Sequence, residues 1–367
     1  MTLSPLHAVN LAGQSVWSDQ ISRSMLDAGE LERRIADDAI TGVTSNPSIF
    51  AAAIASGSAY DDQMQELATR GADSKEIVAA LMTSDIARAC DVMRPVWERT
   101  DGRDGHVSVE VDPELAHETE ATVAEAREWV KRIDRPNLLV KVPATLAGVP
   151  AVRALIAEGV SINVTLIFSI ERYLEVMDAY IDGLEALHSA GGDVSKVASV
   201  ASFFVSRVDS EVDKRLDAVG AHDLRGAAAV ANARVAYDEF LQRFRGPQWE
   251  TLAAKGARVQ RPLWASTSTK NPEYRTTLYV DTLVAPHTVN TMPLETVDAY
   301  QQDGPATPPI VGPEETATAR VMMRAIANAG VDMDDVFTQL ETEGVSKFID
   351  AWRASLADIE GKREKLK

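Results

Sequence analysis

The feature of this sequence that most constrains its fold is a regular alternation of short apolar segments with longer segments of helical pattern. Short apolar runs are typical of strands, and strands that alternate with helices indicate parallel βα units. The runs here are five to eight residues long. The eight predicted strands are Ser15–Asp19, Gly42–Asn46, His106–Val111, Leu138–Val142, Ser161–Phe168, Ala198–Phe204, Pro262–Ser266 and His287–Met292.

Eight βα units predict an α/β fold of the (β/α)8 or TIM-barrel type. An open, doubly wound sheet is the alternative, because eight strands do not by themselves prove closure. A barrel needs about 250 residues, and this chain has 367. The surplus is predicted to form helical insertions at Ser58–Gly105 and Ser206–Arg261 and a C-terminal helical tail at Pro313–Lys367. No Pro/Gly/Ser-rich linker divides the chain, so residues 1–367 are predicted to form one domain.

The composition argues against several classes of partner. A formal net charge of -18 disfavours nucleic acid and anionic membranes, although a small phosphorylated ligand needs only a local basic cluster. The single cysteine excludes an internal disulfide, and the six histidines show no metal-ligand spacing. No apolar run reaches the roughly 18 residues of a membrane-spanning helix, and no signal peptide is evident. These observations predict a cytoplasmic protein with no nucleic-acid, membrane or metal partner.

One predicted strand carries a charged residue in an unusual place. The segment Leu138–Val142 is otherwise a continuous apolar run, of the kind that is buried on both faces of a parallel sheet, yet it contains Lys141. Burying an ammonium group is expensive unless the group is paired. A lysine at this position therefore needs either a partner or a function.

Side-chain alternation along the strands places further polar residues near this lysine. Successive strand side chains point to opposite faces, so the apolar faces of a barrel meet the helices and the polar faces point inward. The polar positions fall mostly near the C-terminal ends of their strands, where barrel active sites lie. The residues predicted to converge there are Asp19, Asn46, Glu110, Lys141, Asn163, Thr165 and Ser202.

Each of these residues alone also has a structural explanation. An Asp or Asn at a strand end often caps the next helix, and a Thr within a strand is routine. Pairing with Lys141 would be a sufficient reason for Glu110. Their joint occurrence favours a site, because a purely structural barrel has no need for polar groups on so many inward strand ends.

A buried lysine suits one kind of chemistry. Low polarity favours the neutral amine, which is nucleophilic and forms a Schiff base with a ketone. The protonated iminium then accepts electrons while the neighbouring carbon–carbon bond breaks. Such a reaction also needs a carboxylate as acid and base and oriented donors for substrate hydroxyls. Lys141 is accordingly predicted to be an amine nucleophile.

Five segments of the sequence resemble motifs of one known family, and each of them overlaps a predicted strand. They are GVTSNPSIF (42–50), VSVEVDPELA (107–116), LLVKVPAT (138–145), INVTLIFS (162–169) and SFFVSRVD (202–209). Together they resemble the strand motifs of the transaldolase family, and the resemblance runs from about Asn10 to about Met292. The length and the segment TSTKNP resemble the longer bacterial members.

The resemblance implies a role for each candidate residue. Lys141 matches the Schiff-base lysine, and Asp19 matches the acid/base aspartate. Glu110 and Thr165 would handle a water that relays protons. The residues expected to bind substrate are Asn46, Asn163 and Ser202 for the three-carbon fragment and Arg207 for the phosphate. The family has a second phosphate-binding arginine after the seventh strand, where this chain has Lys270, with Ser266 or Ser268 nearby.

The resemblance also implies a reaction. A dihydroxyacetone unit would pass from sedoheptulose 7-phosphate to glyceraldehyde 3-phosphate, giving erythrose 4-phosphate and fructose 6-phosphate in the pentose phosphate pathway. No metal or organic cofactor is required, sugar phosphates are the expected partners, and a monomer or homodimer is expected. The alternatives are a fructose-6-phosphate-type aldolase, which is a lyase of the same chemistry, and a non-catalytic barrel that binds sugar phosphates.

Overall fold

In its described residues, 4–45, 50, 53–54 and 57–366, the computed structural model shows a closed barrel of eight parallel strands. The predicted (β/α)8 fold is therefore confirmed, and the open-sheet alternative is wrong. Neighbouring strands follow one another in chain order, and the last pairs with the first. The strands are β1 (Gln14–Ser18), β2 (Ile40–Val43), β3 (Val107–Glu110), β4 (Leu138–Pro143), β5 (Ile162–Ile167), β6 (Ser199–Phe204), β7 (Arg261–Ala265) and β8 (Thr288–Met292).

Helices connect the strands, as parallel pairing requires, and they also form the predicted insertions and C-terminal tail. No helix in the described part of the chain is long and apolar enough to span a membrane. The helices are α1 (Pro5–Leu11), α2 (Arg23–Asp27), α3 (Glu30–Asp37), α4 (Asp61–Thr69), α5 (Ser74–Arg99), α6 (Thr119–Ile133), α7 (Gly148–Ala157), α8 (Ile170–Ser189), α9 (Ser206–Val219), α10 (Ala228–Arg243), α11 (Pro247–Ala253), α12 (Leu278–Asp281), α13 (Leu294–Asp303), α14 (Pro313–Asn328) and α15 (Met333–Leu366).

Strand register places the polar side chains of three neighbouring strands side by side. Glu110 at the end of β3 pairs with Lys141 of β4, and Lys141 pairs with Asn163 of β5. Paired residues on adjacent strands point to the same face and lie about 4.8 Å apart across the sheet. The barrel itself therefore brings the carboxylate, the amine and the amide together, without help from any loop.

A network of paired polar groups surrounds Trp17 at the N-terminal end of the barrel interior. Trp17 of β1 is fully buried, and its indole lies where a Cβ on Gly42 would stand, only 2.4 Å from the nearest ring atom. The Asp104 carboxylate accepts hydrogen bonds from Ser15 Oγ at 2.7 Å and from Trp17 Nε1 and Arg261 Nη2 at 3.1 Å each. Burial alone would raise the pKa of Asp104, but Arg261 and these donors hold it below its ordinary value. These contacts hold Trp17, Asp104 and Arg261 in place at this end of the barrel.

The last helix, α15, packs against the barrel and is held at its far end. At Gly344 its backbone lies so close to β5 that an added Cβ would be 3.0 Å from Leu166 Cδ2. Lys362 Nζ donates to the backbone oxygens of Ile54 at 2.9 Å and Gly57 at 2.6 Å. These contacts tie α15 to the segment that follows β2.

We predict that Lys362→Met will loosen this attachment. The substitution removes the two carbonyl contacts of Lys362 and its ion pair with Asp61, while its side chain is only 18% exposed. A hydrogen bond from a charged group contributes about 1.5–3 kcal/mol. Because Lys362 and Asp61 are both partly exposed, solvent screens these contacts, and the free energy of unfolding in urea should fall by about 1–3 kcal/mol in total.

Lys347→Met provides the matched control on the same helix. Lys347 is 60% exposed and, among the described residues, pairs with Glu343 alone, one turn away, so its loss should cost less than about 0.5 kcal/mol. Equal effects of the two substitutions would contradict a specific role for Lys362.

Candidate active site

The C-terminal ends of the strands surround a small polar cavity of about 200 Å³. Predicted residues from β1, β4 and the loops after β6 and β7 reach it, and α15 contributes to its wall. The lining residues are Asp19, Thr44, Ser45, Lys141, Phe204, Arg207, Ala265, Ser266, Ser268, Lys270, Thr291, Pro293 and Phe348.

The predicted nucleophile, Lys141, is held by three neighbours. It is 7% exposed, and its Nζ donates to Glu110 Oε2 at 3.2 Å and to the backbone oxygen of Ser45 at 3.3 Å. The ring of Phe348, from α15, lies 5.6 Å from Nζ. The amine is thus buried and paired, yet it still faces the cavity.

Glu110 is the buried partner of this amine. Its side chain is 2% exposed. Burial raises the pKa of Glu110, and the charge of Lys141 only partly offsets the rise. A raised pKa makes the Glu110 carboxylate a better proton acceptor than it would be in water. Glu110 is therefore suited to exchange a proton with a neighbouring amine.

Asp19 lies one residue beyond β1, and its backbone N–H extends the sheet by donating to Met292 O at 3.0 Å. Burial raises the pKa of its carboxyl to about 6, against the opposing charges of Lys141 and Lys270. Its Oδ1 atom is buried and has no hydrogen-bond partner among the described residues. A carboxyl group that titrates near neutrality and keeps one free oxygen suits a general acid or base.

Asn163 and Ser202 lie deeper, beneath the cavity rather than on its surface. Ser202 Oγ donates to Asn163 Oδ1 at 2.7 Å, and Asn163 Nδ2 donates to Ser108 Oγ at 3.1 Å. The chain of hydrogen bonds crosses β3, β5 and β6 and fixes the orientation of the amide. Among the described residues, Asn163 Nδ2 donates one hydrogen bond, which leaves its second N–H available to a ligand.

Thr165 occupies a bent part of β5. The pairing of β5 with β6 shifts register between Val164 and Ile167, and Leu166 has a φ of 61°. A positive φ is uncommon outside glycine and marks local strain. The hydroxyl of Thr165 is buried and has no partner in the described residues, so it is free to orient a water or a substrate group.

Arg207 provides the main positive charge at the rim of the cavity. Its guanidinium lies over the Phe204 ring, with Cζ 5.2 Å from the ring centre, and burial lowers its pKa. Nη1 is buried without a partner in the described part of the chain. A half-buried guanidinium with free donors is suited to a bidentate contact with phosphate.

The loop after β7 supplies the other candidates for anion binding. Lys270 Nζ donates to Ser268 Oγ at 2.8 Å, and Ser266 shares a 2.9 Å hydrogen bond with Ser206. All of the predicted residues Ser266, Ser268 and Lys270 line the same cavity as Arg207. The structure thus brings both halves of the predicted phosphate site together.

One predicted residue, Asn46, lies outside the described residues. Residues that were not predicted also line the cavity, among them Thr44, Thr291 and Phe348. Thr44 and Thr291, which share a 2.9 Å hydrogen bond between their hydroxyls, belong to strand ends that sequence alternation points to. The sequence carries no such signal for Phe348, because its place in the site depends on how α15 crosses the barrel.

Within the described residues, no group of three or more His, Cys, Asp or Glu side chains could hold a metal.

Comparison with known proteins identifies the family of this chain. The family model described as Transaldolase/Fructose-6-phosphate aldolase matches residues 16–359. The chain belongs to this family. A protein named transaldolase from Mycolicibacterium paratuberculosis is 54% identical over 354 residues, which cover 95% of this chain and 94% of the relative. Another, from Mycolicibacterium smegmatis, is 51% identical over 365 residues, 99% of this chain and 98% of the relative.

A third transaldolase, from Acidothermus cellulolyticus, is 52% identical over 357 residues, covering 97% of this chain and 96% of the relative. The match extends beyond the strands, because such coverage includes the helical insertions and most of the C-terminal tail. The resemblance drawn from the strand motifs is therefore confirmed, and the chain is an enzyme of the transaldolase family.

We predict that the ionisation of Asp19 will control activity in the acid range. The pKa of its carboxyl is raised to about 6, and a base must be deprotonated to act. kcat/KM should therefore fall about tenfold per pH unit as the pH drops below about 6. Asp19→Asn should lose most activity and also lose this acid limb. A wild-type profile that stays flat through pH 6, with the fold intact by circular dichroism, would contradict the assignment.

Proposed function

We propose that this protein is a cytoplasmic transaldolase of the pentose phosphate pathway that works through a Schiff base on Lys141. The donor is sedoheptulose 7-phosphate and the acceptor glyceraldehyde 3-phosphate, with erythrose 4-phosphate and fructose 6-phosphate as products. The observation that carries the proposal is the buried amine of Lys141, 3.2 Å from the Glu110 carboxylate in a cavity of the barrel mouth. Membership of the transaldolase family supports it.

The first step joins Lys141 to the ketose. Glu110 takes a proton from the ammonium, and the neutral amine attacks the carbonyl carbon. The resulting carbinolamine loses its hydroxyl as water, with a proton returned by Glu110, and becomes an iminium. The free hydroxyl of Thr165 orients the water that carries protons between these groups. General acid–base assistance of this kind contributes about 10²–10⁴-fold to a rate.

Asp19 performs the bond-breaking step. Its free Oδ1 accepts the proton from the substrate hydroxyl whose carbon becomes the aldehyde. The carbon–carbon bond then breaks, its electron pair moves into the iminium, and the enamine of dihydroxyacetone remains on Lys141. The first aldose leaves, the second takes its place, and the same steps run in reverse. Water finally hydrolyses the new iminium and releases the product ketose.

Two groups of side chains hold the substrate in this scheme. Asn46, Asn163 and Ser202 bind the three-carbon fragment, and the pairing of Asn163 with Ser202 supports a fixed orientation for the amide. Arg207 binds the phosphate, since its Nη1 has no partner among the described residues. Lys270, with Ser266 or Ser268, stands in for a second arginine. A lysine acts as a point charge and lacks the bidentate fork.

We also propose that the chain acts as one domain, monomeric or homodimeric, and uses no metal or organic cofactor. The proposed steps are complete without one, because the iminium itself accepts the electrons. The substrates are small sugar phosphates, which a local basic cluster can bind despite the net charge of -18.

The main alternative is a lyase that releases dihydroxyacetone to water. Phe348 and Phe204 line the cavity around Lys141, and an apolar wall that limits water access to the enamine supports transfer over release. Product analysis separates the two. Incubation with fructose 6-phosphate should yield little free dihydroxyacetone without an acceptor, and rapid turnover only when erythrose 4-phosphate is added. Equal rates in both conditions would favour the lyase.

We predict that borohydride reduction in the presence of fructose 6-phosphate will inactivate the enzyme irreversibly. Mass mapping should place the adduct on Lys141, because this lysine is buried and paired with a carboxylate. Lys141→Arg should be inactive and unlabelled, since a guanidinium stays protonated. Lys270→Met is the control. Lys270 also lines the cavity, but its replacement should still leave the adduct on Lys141. A non-catalytic barrel would bind substrate and show no adduct.

We predict that Arg207→Ala will raise KM for phosphorylated substrates by about 10–100-fold, the expected loss for a charge-assisted contact of about 1.5–3 kcal/mol. The effect should be much smaller with unphosphorylated dihydroxyacetone as donor.

Arg215→Ala is the matched control. Arg215 lies on the same helix α9 but pairs with Glu211 and Asp335. An equal loss on both donors for Arg207→Ala would show that Arg207 is structural.

A further inference from the structure

A second cavity lies at the opposite end of the barrel from the candidate active site. Its volume is about 530 Å³, within the roughly 300–1,000 Å³ typical of small-molecule sites. Residues at the N-terminal ends of strands form its floor, among them Ser199 of β6 and Arg261 of β7. The lining reaches Leu139 of β4, two residues before Lys141, but it does not include Lys141 itself.

The charge of this cavity is opposite to that of the whole chain. Its lining contains the four arginines Arg103, Arg245, Arg258 and Arg261 and one carboxylate, Asp101, whereas the chain carries a formal net charge of -18. Concentrated positive charge on an acidic protein is not needed for solubility. It creates a local potential that attracts anions.

Two of these four arginines have few or weak ion-pair partners within the protein. Arg245 is exposed and makes no salt bridge with any described residue. Arg258 contacts Asp101 at 3.3 Å, but the Asp101 side chain is fully exposed, and an exposed pair of this kind holds its partners only weakly. Arg261 differs, because it is buried and paired with Asp104. Arg245 and Arg258 therefore remain available to a ligand.

Two histidines, His106 and His287, also belong to the lining of this cavity. His287 lines the cavity, and burial together with the charges of Arg103 and Arg261 lowers its pKa. His106 is fully buried, and its Nδ1 has no hydrogen-bond partner in the described part of the chain. A buried, unpartnered ring nitrogen in the lining leaves a polar contact open for a bound molecule.

The opposite wall is apolar and aromatic. Phe240 near the end of α10 and Phe244 just after it are both buried, and their ring centres are 5.3 Å apart. Leu241 and Val259 extend this surface. Aromatic and aliphatic side chains beside a few convergent cations are typical of sites for flat, anionic small molecules.

We propose that this cavity binds a monophosphate ester of a planar ring compound, such as a nucleoside monophosphate. The phosphate would lie between Arg245 and Arg258, whose guanidinium groups can each form bidentate contacts. The ring would pack against Phe240 and Phe244. This site is independent of the proposed transaldolase reaction and shares no lining residue with the active-site cavity.

Isothermal titration calorimetry of the full chain tests the proposal with AMP, adenosine, inorganic phosphate and phenyl phosphate as probes. AMP should bind at one site at least about tenfold more tightly than adenosine or phosphate alone, because only AMP uses both walls. Phenyl phosphate should fall between phosphate and AMP. Failure of AMP to bind at millimolar concentration would mean that the cavity is a packing void, and equal affinities for AMP and phosphate would overturn the role of the aromatic wall.

Single substitutions locate the site. Arg245→Gln and Arg258→Gln should each weaken AMP binding about 10–100-fold, the range for a lost charge-assisted contact. Arg243→Gln is the matched control, because Arg243 lies two residues from Arg245 but pairs with Asp178 and does not line the cavity. Arg245→Gln should leave transaldolase turnover without AMP within about twofold of wild type.

Arg207→Ala distinguishes this cavity from the active site. AMP binding should survive that substitution if the proposal is right. If AMP binding is lost in Arg207→Ala and kept in Arg245→Gln, the nucleotide occupies the active-site phosphate position and the proposal is wrong.

Discussion

The buried pair of Lys141 and Glu110 is the interaction on which the rest of the site depends. Removing two charges from water costs several kcal/mol per ion, and the protein recovers this only with close geometry and further hydrogen bonds. Here the geometry comes from strand register, which sets Glu110 beside Lys141 on adjacent strands. Replacing either partner would leave a single uncompensated charge in the barrel. The pair therefore keeps a carboxyl of raised pKa beside the amine, where it can exchange a proton with it.

The sequence predicted polar side chains inside the barrel near the C-terminal ends of the strands: alternation indicated the face, and position along each strand indicated the end. Lys141 and Asp19 line the cavity as expected. By contrast, Asn163 and Ser202 lie below the cavity and form a hydrogen bond with each other. A period of two indicates the face on which a side chain lies, but it does not indicate depth within the barrel. Phe348 could not be predicted at all, because its position depends on a crossing of helix over strand that no local pattern encodes.

Buried polar residues of similar sequence pattern differ in whether the protein satisfies their hydrogen bonds. At the N-terminal end, Ser15, Asp104 and Arg261 are buried and bonded to one another. At the C-terminal end, Asp19 and Thr165 each keep a buried oxygen without a partner in the described residues. Satisfied groups fix a structure, whereas unsatisfied groups are available for chemistry. Sequence patterns cannot separate these cases, because satisfaction depends on partners far along the chain.

The position of Phe348 on α15 has a consequence for biosynthesis. All eight strands, and with them Asp19, Glu110, Lys141 and Arg207, precede this residue in the chain. A growing polypeptide can thus expose the complete set of barrel side chains before the aromatic ring that covers Lys141 has been made. The wall that Phe348 forms over Lys141 is therefore completed only when α15 packs against the barrel.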